Sequence, residues 1–383
     1  MKVDFYRHAL TPAAGQAMAD VLANAIITTG GVCRAVEAQI AAYFTAPHAL
    51  LVNSWTNGAL ATLLAMGVGR GDEVIVPANT FVASANVAEM TGANVVFVDV
   101  DPNSLLVTPE LVAAAVTPRT RVVMPVHLYG QMCDVAGLRA MLDHHPAATQ
   151  RIRILEDAAH CFEGTRDGVR PGRHSDAAVF SFYATKNITC GEGGAVITRD
   201  GELHARLLET RLHGMSAMAA DRFAGGRYNH WDMMRLGVKA NLPDLLAALL
   251  PDQIATIDAR LPSRQAMAER YRKAFADGPL RLVAKLSECS SAEHIFPIGL
   301  SVGNRDAAIA VLNSAGIGVT VNYRSVPGTT YYRERYGDMT GRTPISHAWG
   351  LATLTLPLYP GLASAEQDYV IEMVRERVYP LAR

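Results

Sequence analysis

Short runs of Val- and Ile-rich sequence alternate with helix-like segments through the first half of this chain. Runs of this length and composition are typical of strands that are buried on both faces. Alternation of such strands with helices predicts an α/β fold, in which helices cover both faces of a mostly parallel, mixed sheet. The predicted strands are HALLV (48–52), DEVIVP (72–77), NVVFVDV (94–100), RVVMPVHL (121–128), RIRILED (151–157), DAAVFSF (176–182) and GAVIT (194–198).

The pattern changes after the seventh predicted strand and its helix. The polar, glycine-containing segment MSAMAADRFAGGRYNHWDMMRLGVKAN (215–241) interrupts the alternation and is either a functional loop or a partner contact. Helical sequence then runs to about Ala276, followed by strands HIFPIGL and IGVTVNY and a C-terminal helix SAEQDYVIEMVRERV. We therefore expect a large domain over 1–250 and a smaller C-terminal α+β domain over 251–383.

Charge and cysteine usage argue against several classes of protein. The 35 Lys and Arg residues nearly balance the 36 Asp and Glu residues, and long basic runs are absent, so we expect a small-molecule partner and no nucleic acid. The five scattered cysteines form no Cys-x-x-Cys pair, which indicates neither a disulfide framework nor a zinc site. The N-terminal MKVDFYRHAL does not resemble a signal peptide, and no apolar run is long enough for a membrane span, so we expect a cytoplasmic protein.

A lone lysine lies in the stretch FSFYATKNITCGEGG (180–194), between an apolar run and a glycine-rich turn. Because moving an ammonium out of water is costly, Lys186 either reaches solvent through its flexible stem or is kept neutral for chemistry. The first case is the commoner one. A neutral amine, in contrast, is the nucleophile of Schiff-base chemistry.

Two other predicted strand ends carry polar residues. In VNSWTNGALATLLAM, a strand passes into a helix through Ser54 to Asn57, so free backbone N–H groups can meet a phosphate there, unless this is an ordinary capped helix. In RILEDAAHCFEG, Asp157 can hold a ring nitrogen, while Asp157 and His160 alone make an incomplete zinc site. The alternative is a solvated strand end. With Lys186, these features are what pyridoxal phosphate requires.

In these segments the chain resembles the sugar aminotransferases of the DegT/DnrJ/EryC1 group, which have the fold type I, aspartate aminotransferase-like architecture of pyridoxal phosphate enzymes. The resemblance runs in order through IITTGGVCRAVEAQIAAYF, GDEVIVPANTFVASANVAEMTGANVVFVDVD, PVHLYGQMCDV, ILEDAAH, FSFYATKNITCGEGGAV and GVKANLPD. KNITCGEGG is most similar to enzymes that aminate C4 of a nucleotide-linked keto sugar, as in the 4-amino-4-deoxy-arabinose and pseudaminic acid pathways. Lys186 separates the chain from the dehydratase branch, which has a histidine there.

The resemblance implies roles for individual residues. Lys186 would hold the cofactor and, after L-glutamate donates its amino group, move the proton between the amino-acid carbon and the cofactor carbon. Asp157 would pair with the pyridine nitrogen, and His160 would lie near the ring. Phe81 would stack on the cofactor, although a core phenylalanine is the alternative for this position.

The phosphate and the second subunit complete the implied site. The side chains expected to bind the phosphate are Thr56, Asn57 and Ser181. In relatives an asparagine crosses to this phosphate from the other subunit, which makes Asn241 the candidate here and implies a homodimer with shared active sites.

The acceptor side departs from the family pattern. Where relatives of this type carry His-Tyr-x-x-x-His, this chain reads VNYRSVPGTTYY, with Asn322 and Pro327 at the histidine positions. The acceptor is therefore either a nucleotide-linked or a free keto sugar, and Tyr6, Thr29 and Arg324 are candidate contacts to it.

Three functions are consistent with the sequence. The first is an L-glutamate-dependent aminotransferase that makes an amino sugar for lipopolysaccharide, another surface glycan or a secondary metabolite. The second keeps the cofactor but acts on an octulosonate or a cyclitol ketone. The third is a regulator that senses a metabolite, against which the retained Lys186 and Asp157 argue, because a sensor needs no proton shuttle.

Overall fold

The computed structural model describes residues 1–23, 26–216 and 230–382. Within these ranges the strands are β1 (His48–Val52), β2 (Glu73–Pro77), β3 (Asn94–Val98), β4 (Thr120–Val123), β5 (Arg153–Asp157), β6 (Thr165–Arg166), β7 (Ala177–Ser181), β8 (Gly194–Thr198), β9 (Arg281–Leu282), β10 (Cys289–Ser290), β11 (Phe296–Gly299) and β12 (Thr353–Leu356). The seven strands predicted in the first half and the strand HIFPIGL are formed in the predicted order, and β6, β9, β10 and β12 are additional strands that were not predicted.

The helices of the described ranges alternate with these strands in the first half of the chain and dominate the second. They are α1 (Pro12–Leu22), α2 (Gly31–Tyr43), α3 (Trp55–Ala65), α4 (Val82–Thr91), α5 (Pro109–Ala113), α6 (Val135–Asp143), α7 (Gly201–Thr210), α8 (Asp244–Ala247), α9 (Pro251–Phe275), α10 (Arg305–Ser314), α11 (Thr330–Tyr336), α12 (Pro344–Ala352) and α13 (Ser364–Met373), which continues as a π-helical turn (Val374–Val378).

The seven strands predicted in the first half pair into one sheet in the order β1-β8-β7-β5-β4-β2-β3. The pairs from β7 to β3 are parallel, whereas β8 runs antiparallel to both β7 and β1. The prediction of a mostly parallel, mixed sheet is therefore confirmed. In its parallel part the carboxyl ends of β2, β4, β5 and β7 lie along one edge, which is where such sheets bind ligands.

Both faces of this sheet are buried. In β1, Leu50 and Val52 belong to one apolar core, while Ala49 and Leu51 belong to another on the opposite face. This follows from the two-residue period of a strand, which sends alternate side chains to opposite faces. It explains why the strands read as nearly continuous apolar runs.

The C-terminal part forms a separate antiparallel sheet, β12-β11-β9, whose core also takes in Val3 from the N-terminus. The strand expected over 317–323 is not formed. The segment makes single bridges instead, from Ile317 to Val3 and from Thr320 to Thr355, because it leaves the small sheet and crosses towards the large one. The domain boundary at residue 250 stays a prediction.

The glycine-containing segment is described at its two flanks, where Met215 pairs with Met233. The part of it over residues 217–229 lies outside the described residues. All five cysteines lie inside the described ranges, and each is a buried free thiol. Across those same ranges, no helix is both long and apolar enough to cross a membrane.

Candidate active site

A cleft of about 550 Å³ opens at the carboxyl edge of the large sheet. Its wall contains side chains that follow the ends of β2, β5 and β7, together with residues 320, 322 and 323 from the C-terminal part. The sequence-predicted residues that line it are Thr56, Phe81, Asp157, His160, Ser181 and Lys186. The sheet therefore brings together side chains that lie more than a hundred residues apart in the chain.

The N-terminus of α3 forms one end of the cleft. Ser54 caps the helix by accepting a hydrogen bond from the Asn57 backbone N–H at 3.1 Å. The N–H groups of Trp55 and Thr56, in the first turn, have no carbonyl partner within the helix and lie at its positive end. Gly194 allows a close approach here, because a Cβ atom on it would lie 3.0 Å from the Trp55 backbone nitrogen at the start of α3.

The three expected phosphate ligands differ in position. Thr56 and Ser181 both line the cleft beside the start of α3. The Asn57 side chain instead donates to Asn53 Oδ1 at 2.9 Å, and it is not part of the cleft wall formed by the described residues. Asn57 therefore stabilises the start of α3, because its backbone N–H donates to the capping side chain of Ser54.

Asp157 ends β5 and is only 5% exposed. Its carboxylate accepts hydrogen bonds from Ser84 Oγ at 2.8 Å and from the Ala159 N–H at 3.1 Å. Thr80 lies 2.9 Å from Ser84 and donates to it, since the Ser84 proton is committed to Asp157. Burial raises the pKa of Asp157, against the opposing effects of Ala159, Ser84 and Lys186. A cation at this point of the cleft would stabilise the carboxylate.

Lys186 lies in the turn that follows β7, five residues beyond the strand's last residue, Ser181. Burial lowers the pKa of Lys186 to about 8, although the charge of Asp157 acts in the other direction. Roughly a tenth of the amine is then neutral near pH 7. This favours the interpretation of Lys186 as a reactive amine over that of a solvated ammonium.

His160 is buried and uncharged. Its Nδ1 accepts a hydrogen bond from the Tyr129 N–H at 3.2 Å, so the ring proton is on Nε2, which lies 3.0 Å from the Tyr323 hydroxyl. Burial, with the nearby Lys186 and His294, holds the pKa of His160 well below its usual range. His160 therefore donates to Tyr323 and fixes that ring in the cleft wall.

Phe81 presents an open aromatic face to the cleft. It is 54% exposed, and its ring centroid lies 5.5 Å from that of Tyr323. A phenylalanine is rarely left open to water unless something covers it. A core position is therefore excluded for Phe81.

Four other candidates lie outside this cleft. Tyr6 lines a second cavity, which also reaches Lys186 and is bordered by the N-terminal segment. Thr29 is buried and donates to the Leu242 carbonyl at 2.5 Å, while the Asn241 amide donates to Thr29 at 2.6 Å. Arg324 is exposed and belongs to neither wall in the described part of the chain.

Four residues of this region were not predicted from the sequence: Thr80, Ser84, His294 and Tyr323. Thr80 precedes α4 and Ser84 lies in its first turn, and their hydroxyls meet at 2.9 Å where the chain enters the helix. His294 begins the apolar run HIFPIGL, so it carries the same signal that singled out Lys186, a polar side chain beside a buried strand.

The chemistry of this donor set fits pyridoxal phosphate. A helix N-terminus with two hydroxyl side chains suits a phosphate, and the buried carboxylate of Asp157 suits a protonated ring nitrogen. The open ring of Phe81 suits a stacked heterocycle, and the amine of Lys186 suits an aldehyde.

Comparison with solved structures finds the same architecture in proteins that include sugar aminotransferases. The protein Spr1654 from Streptococcus pneumoniae, described as a sugar aminotransferase, is 30% identical in its PMP form, with a TM-score of 0.93 over 99% of this chain and 100% of that one. DesV from S. venezuelae is 32% identical, with a TM-score of 0.85 over 95% and 93%. A 3-amino-5-hydroxybenzoic acid synthase is 27% identical, with a TM-score of 0.87 over 98% and 99%.

The sequence profile of the DegT/DnrJ/EryC1/StrS aminotransferase family matches residues 10–375, which is nearly the whole chain. Spr1654 has also been solved in a PLP form, in agreement with the donor set described above. The chain belongs to the DegT/DnrJ/EryC1/StrS aminotransferase family and is a transaminase with pyridoxal phosphate as its cofactor.

Proposed function

We propose that this enzyme transfers the amino group of L-glutamate to a keto sugar, at C4 of a nucleotide-linked 4-keto sugar, in the biosynthesis of an amino sugar for a surface glycan such as lipopolysaccharide. The observation that carries the proposal is Lys186, whose amine has a pKa lowered to about 8 and lines the same cleft as Asp157 and the start of α3. The likeness to sugar aminotransferases over the full chain supports the acceptor class.

When bound, pyridoxal phosphate supplies an electron sink for the carbon from which a proton is removed. The α3 N-terminus, Thr56 and Ser181 would hold the phosphate, and the buried carboxylate of Asp157 would keep the ring nitrogen protonated. Phe81 would pack against the ring. Lys186 would accept the proton from the amino-acid carbon at Nζ and deliver it to the cofactor carbon that bears the amino nitrogen.

The acceptor lies where the two cavities meet. Asn322 and Tyr323 line both the main cleft and the second cavity, which Tyr6 also borders. Asn322 Oδ1 is buried and has no hydrogen-bond partner among residues 1–23, 26–216 and 230–382. A buried acceptor left unpaired is costly, so a donor hydroxyl of the sugar supplies what Asn322 lacks.

The second candidate acceptor is a free keto sugar such as an octulosonate, or a cyclitol ketone. Two observations favour it. Asn322 and Pro327 replace the histidines expected from the family resemblance, and a relative named for a cyclic aminobenzoate matches at a TM-score of 0.87. Arg324, being exposed, would reach only a large acceptor such as a nucleotide sugar.

Initial rates with three acceptors test the proposal. A nucleotide-linked 4-keto sugar, a free octulosonate and a cyclitol ketone are each varied at several fixed concentrations of L-glutamate. We expect the highest kcat/KM for the nucleotide-linked sugar, with parallel double-reciprocal lines because the two half-reactions are separate. A preference for either of the remaining acceptors overturns the C4 proposal, and intersecting lines overturn the two-step order.

We further propose a homodimer in which Asn241 completes the partner's site. Asn241 pairs with Val52 of the edge strand β1, outside the cleft of its own chain, and its Oδ1 is buried without a partner in the described ranges. The preceding residues Met233, Met234 and Leu236 are 58%, 57% and 77% exposed, an apolar strip of the kind that interfaces cover. Thr29, which binds Asn241, orients it.

Complementation tests the shared site. Chains with Lys186→Ala and chains with Asn241→Ala are inactive or weakened alone, whereas mixed dimers regain one site that holds both native residues. We expect activity of about a quarter of the native value after mixing and re-equilibration, from random pairing. If mixed dimers form but show no recovery of activity, the assignment of Asn241 is contradicted.

We also propose that the enzyme is located in the cytoplasm, where its five free, buried thiols stay reduced.

A further inference from the structure

A buried histidine from the C-terminal part faces the reactive lysine. His294 immediately precedes Ile295 and the start of β11, is 4% exposed, and has Nε2 3.4 Å from Lys186 Nζ. The two side chains share the wall of the second cavity. No role for His294 follows from the sequence motifs, and the segments that carry the family resemblance do not include it.

The surroundings of His294 fix which ring nitrogen carries the proton. The Asn187 amide donates to Glu163 Oε1 at 2.7 Å and to the Ala292 carbonyl at 3.1 Å, so its oxygen points the other way. That oxygen lies 3.2 Å from His294 Nδ1. Because an amide oxygen can only accept, Nδ1 of His294 carries the proton and donates it. Arg264 pairs with Glu163 and so stabilises this network of hydrogen bonds.

The other nitrogen, Nε2, therefore presents a lone pair to Lys186. Burial, and then the positive charges of Lys186 and Arg264, hold the pKa of His294 well below its usual range. The ring of His160 lies against it at 4.4 Å between centroids and is itself uncharged. His294 is thus a neutral acceptor of fixed orientation at neutral pH.

We propose that His294 is a positioning residue for Lys186: its Nε2 lone pair accepts a hydrogen bond from the lysine amine and fixes the direction in which that amine faces the cleft. With one N–H of Lys186 held by His294, the nitrogen lone pair of the neutral amine is free to point at the substrate carbon. The proposal rests on the aminotransferase function, because only a lysine that shuttles protons needs this orientation.

Two substitutions at residue 294 separate the two hydrogen bonds. In His294→Asn the amide can replace Nδ1 towards Asn187 but does not reach Lys186. In His294→Gln the longer side chain can replace the Nε2 acceptor towards Lys186 but no longer serves Asn187. Both replacements are polar and no larger than the native histidine, so neither overpacks the site. Asn187→Ala is the third variant, which keeps His294 and releases the constraint on its tautomer.

The first readout is the reactivity of Lys186 in the cofactor-free full-length chain. Trace acetylation by acetic anhydride is followed against pH by peptide mass spectrometry, with exposed Lys273 as the internal reference. We expect a midpoint near 8 in the native protein and in His294→Gln. In His294→Asn we expect a midpoint lower by about one pH unit, because the ammonium loses an acceptor, and in Asn187→Ala a smaller shift in the same direction.

Several titratable or charged groups face Lys186 and His294, and they are the same in all three variants. They are Asp157, His160, Tyr323 and Arg264, and across the second cavity Tyr6, Arg7, His8 and Tyr359. A difference between the His294→Asn and His294→Gln profiles therefore reports on residue 294.

The second readout is the L-glutamate half-reaction of the loaded enzyme. We expect His294→Asn to lower its rate constant about tenfold at nearly unchanged KM, while His294→Gln stays within about threefold of the native enzyme. Equal losses in both variants would show a merely structural role, and native values in both, or a larger loss in His294→Gln, would also overturn the proposal. If another amino donor replaces L-glutamate, the native enzyme fails this second readout too, and the labelling midpoint decides.

Discussion

The two sides of the cleft are built differently. On the cofactor side, Asp157 and Ser181 come from the last residues of neighbouring strands of one sheet, and Ser84 holds Asp157 in place. On the proposed acceptor side, Asn322 comes from an irregular stretch of the C-terminal part and also lines the second cavity, which Tyr6 of the N-terminal segment borders. The cofactor side is therefore fixed by the sheet, whereas the acceptor side depends on packing between distant segments. One scaffold can keep its chemistry while its acceptor changes.

The largest expected effect is on the cofactor side. Lys186→Ala removes the proposed proton shuttle, so we expect turnover to fall by about 10⁴-fold or more with every acceptor. Steady-state rates with L-glutamate measure the loss, and Lys273→Ala, at an exposed position on α9, is the matched control. Turnover within tenfold of the native rate would place the chemistry elsewhere.

The second-largest effect is expected for Asp157→Asn, which also lies on the cofactor side. The amide cannot balance a charged ring nitrogen, so we expect a loss of roughly 10²- to 10³-fold in the L-glutamate half-reaction. Ser84→Ala removes only one hydrogen bond to the carboxylate and should cost about tenfold or less. Asp277→Asn, at an exposed position, is the control. The account fails here if Ser84→Ala matches or exceeds Asp157→Asn.

Burial of the Lys186 amine should lower the folding stability of the cofactor-free protein near neutral pH. Because its pKa is about 8 in the folded chain against 10.5 ordinarily, the unfolded chain binds more protons between these values, and native stability rises with pH across that window. Lys186→Met removes the cost, so we expect the cofactor-free protein to gain about 1–3 kcal/mol near pH 7, after allowance for partial exposure. The gain should vanish towards pH 10.5.

Urea unfolding of the cofactor-free protein at several pH values measures this gain. Lys273→Met serves as the matched control and should change stability by less than about 0.5 kcal/mol at any pH. A Lys186→Met variant that is less stable than the native chain near pH 7, or whose gain does not depend on pH, would contradict the buried-amine assignment.

The smallest effect is expected on the acceptor side. Asn322→Ala removes a side chain that lines both cavities, so we expect kcat/KM for the keto sugar to fall about tenfold while the L-glutamate half-reaction stays within about twofold. Single-turnover rates separate the two half-reactions, and Asn313→Ala on α10 is the control. Equal losses in both half-reactions would erase the distinction between the two sides.

The same division separates what could be predicted from the sequence from what could not. The strand ends Asp157 and Ser181, and the helix start with Thr56 that follows β1, could be predicted from periodicity, because such sheets bring these points to one edge. Contacts such as Ser84 to Asp157, Lys186 to His294 and His160 to Tyr323 join residues 73, 108 and 163 positions apart. No local pattern encodes them, since they depend on how helices and the C-terminal part pack against the sheet.

The expected strand over 317–323 failed for a related reason. Its alternation of apolar residues is compatible with a strand, but Ile317 and Thr320 pair with two different partners, Val3 and Thr355. The place of Tyr6 in the wall of the second cavity, which Lys186 also lines, depends on the same N-terminal segment. Local propensity cannot anticipate such competition between segments.

The most direct test of the central claim is an absorbance spectrum of the purified protein with pyridoxal phosphate, recorded before and after addition of L-glutamate. The account predicts a visible band that depends on Lys186 and that L-glutamate converts to the shorter-wavelength pyridoxamine form. Absence of the band would contradict the assignment of Lys186 as the residue that holds the cofactor, and a band that L-glutamate leaves unchanged would contradict the proposed donor.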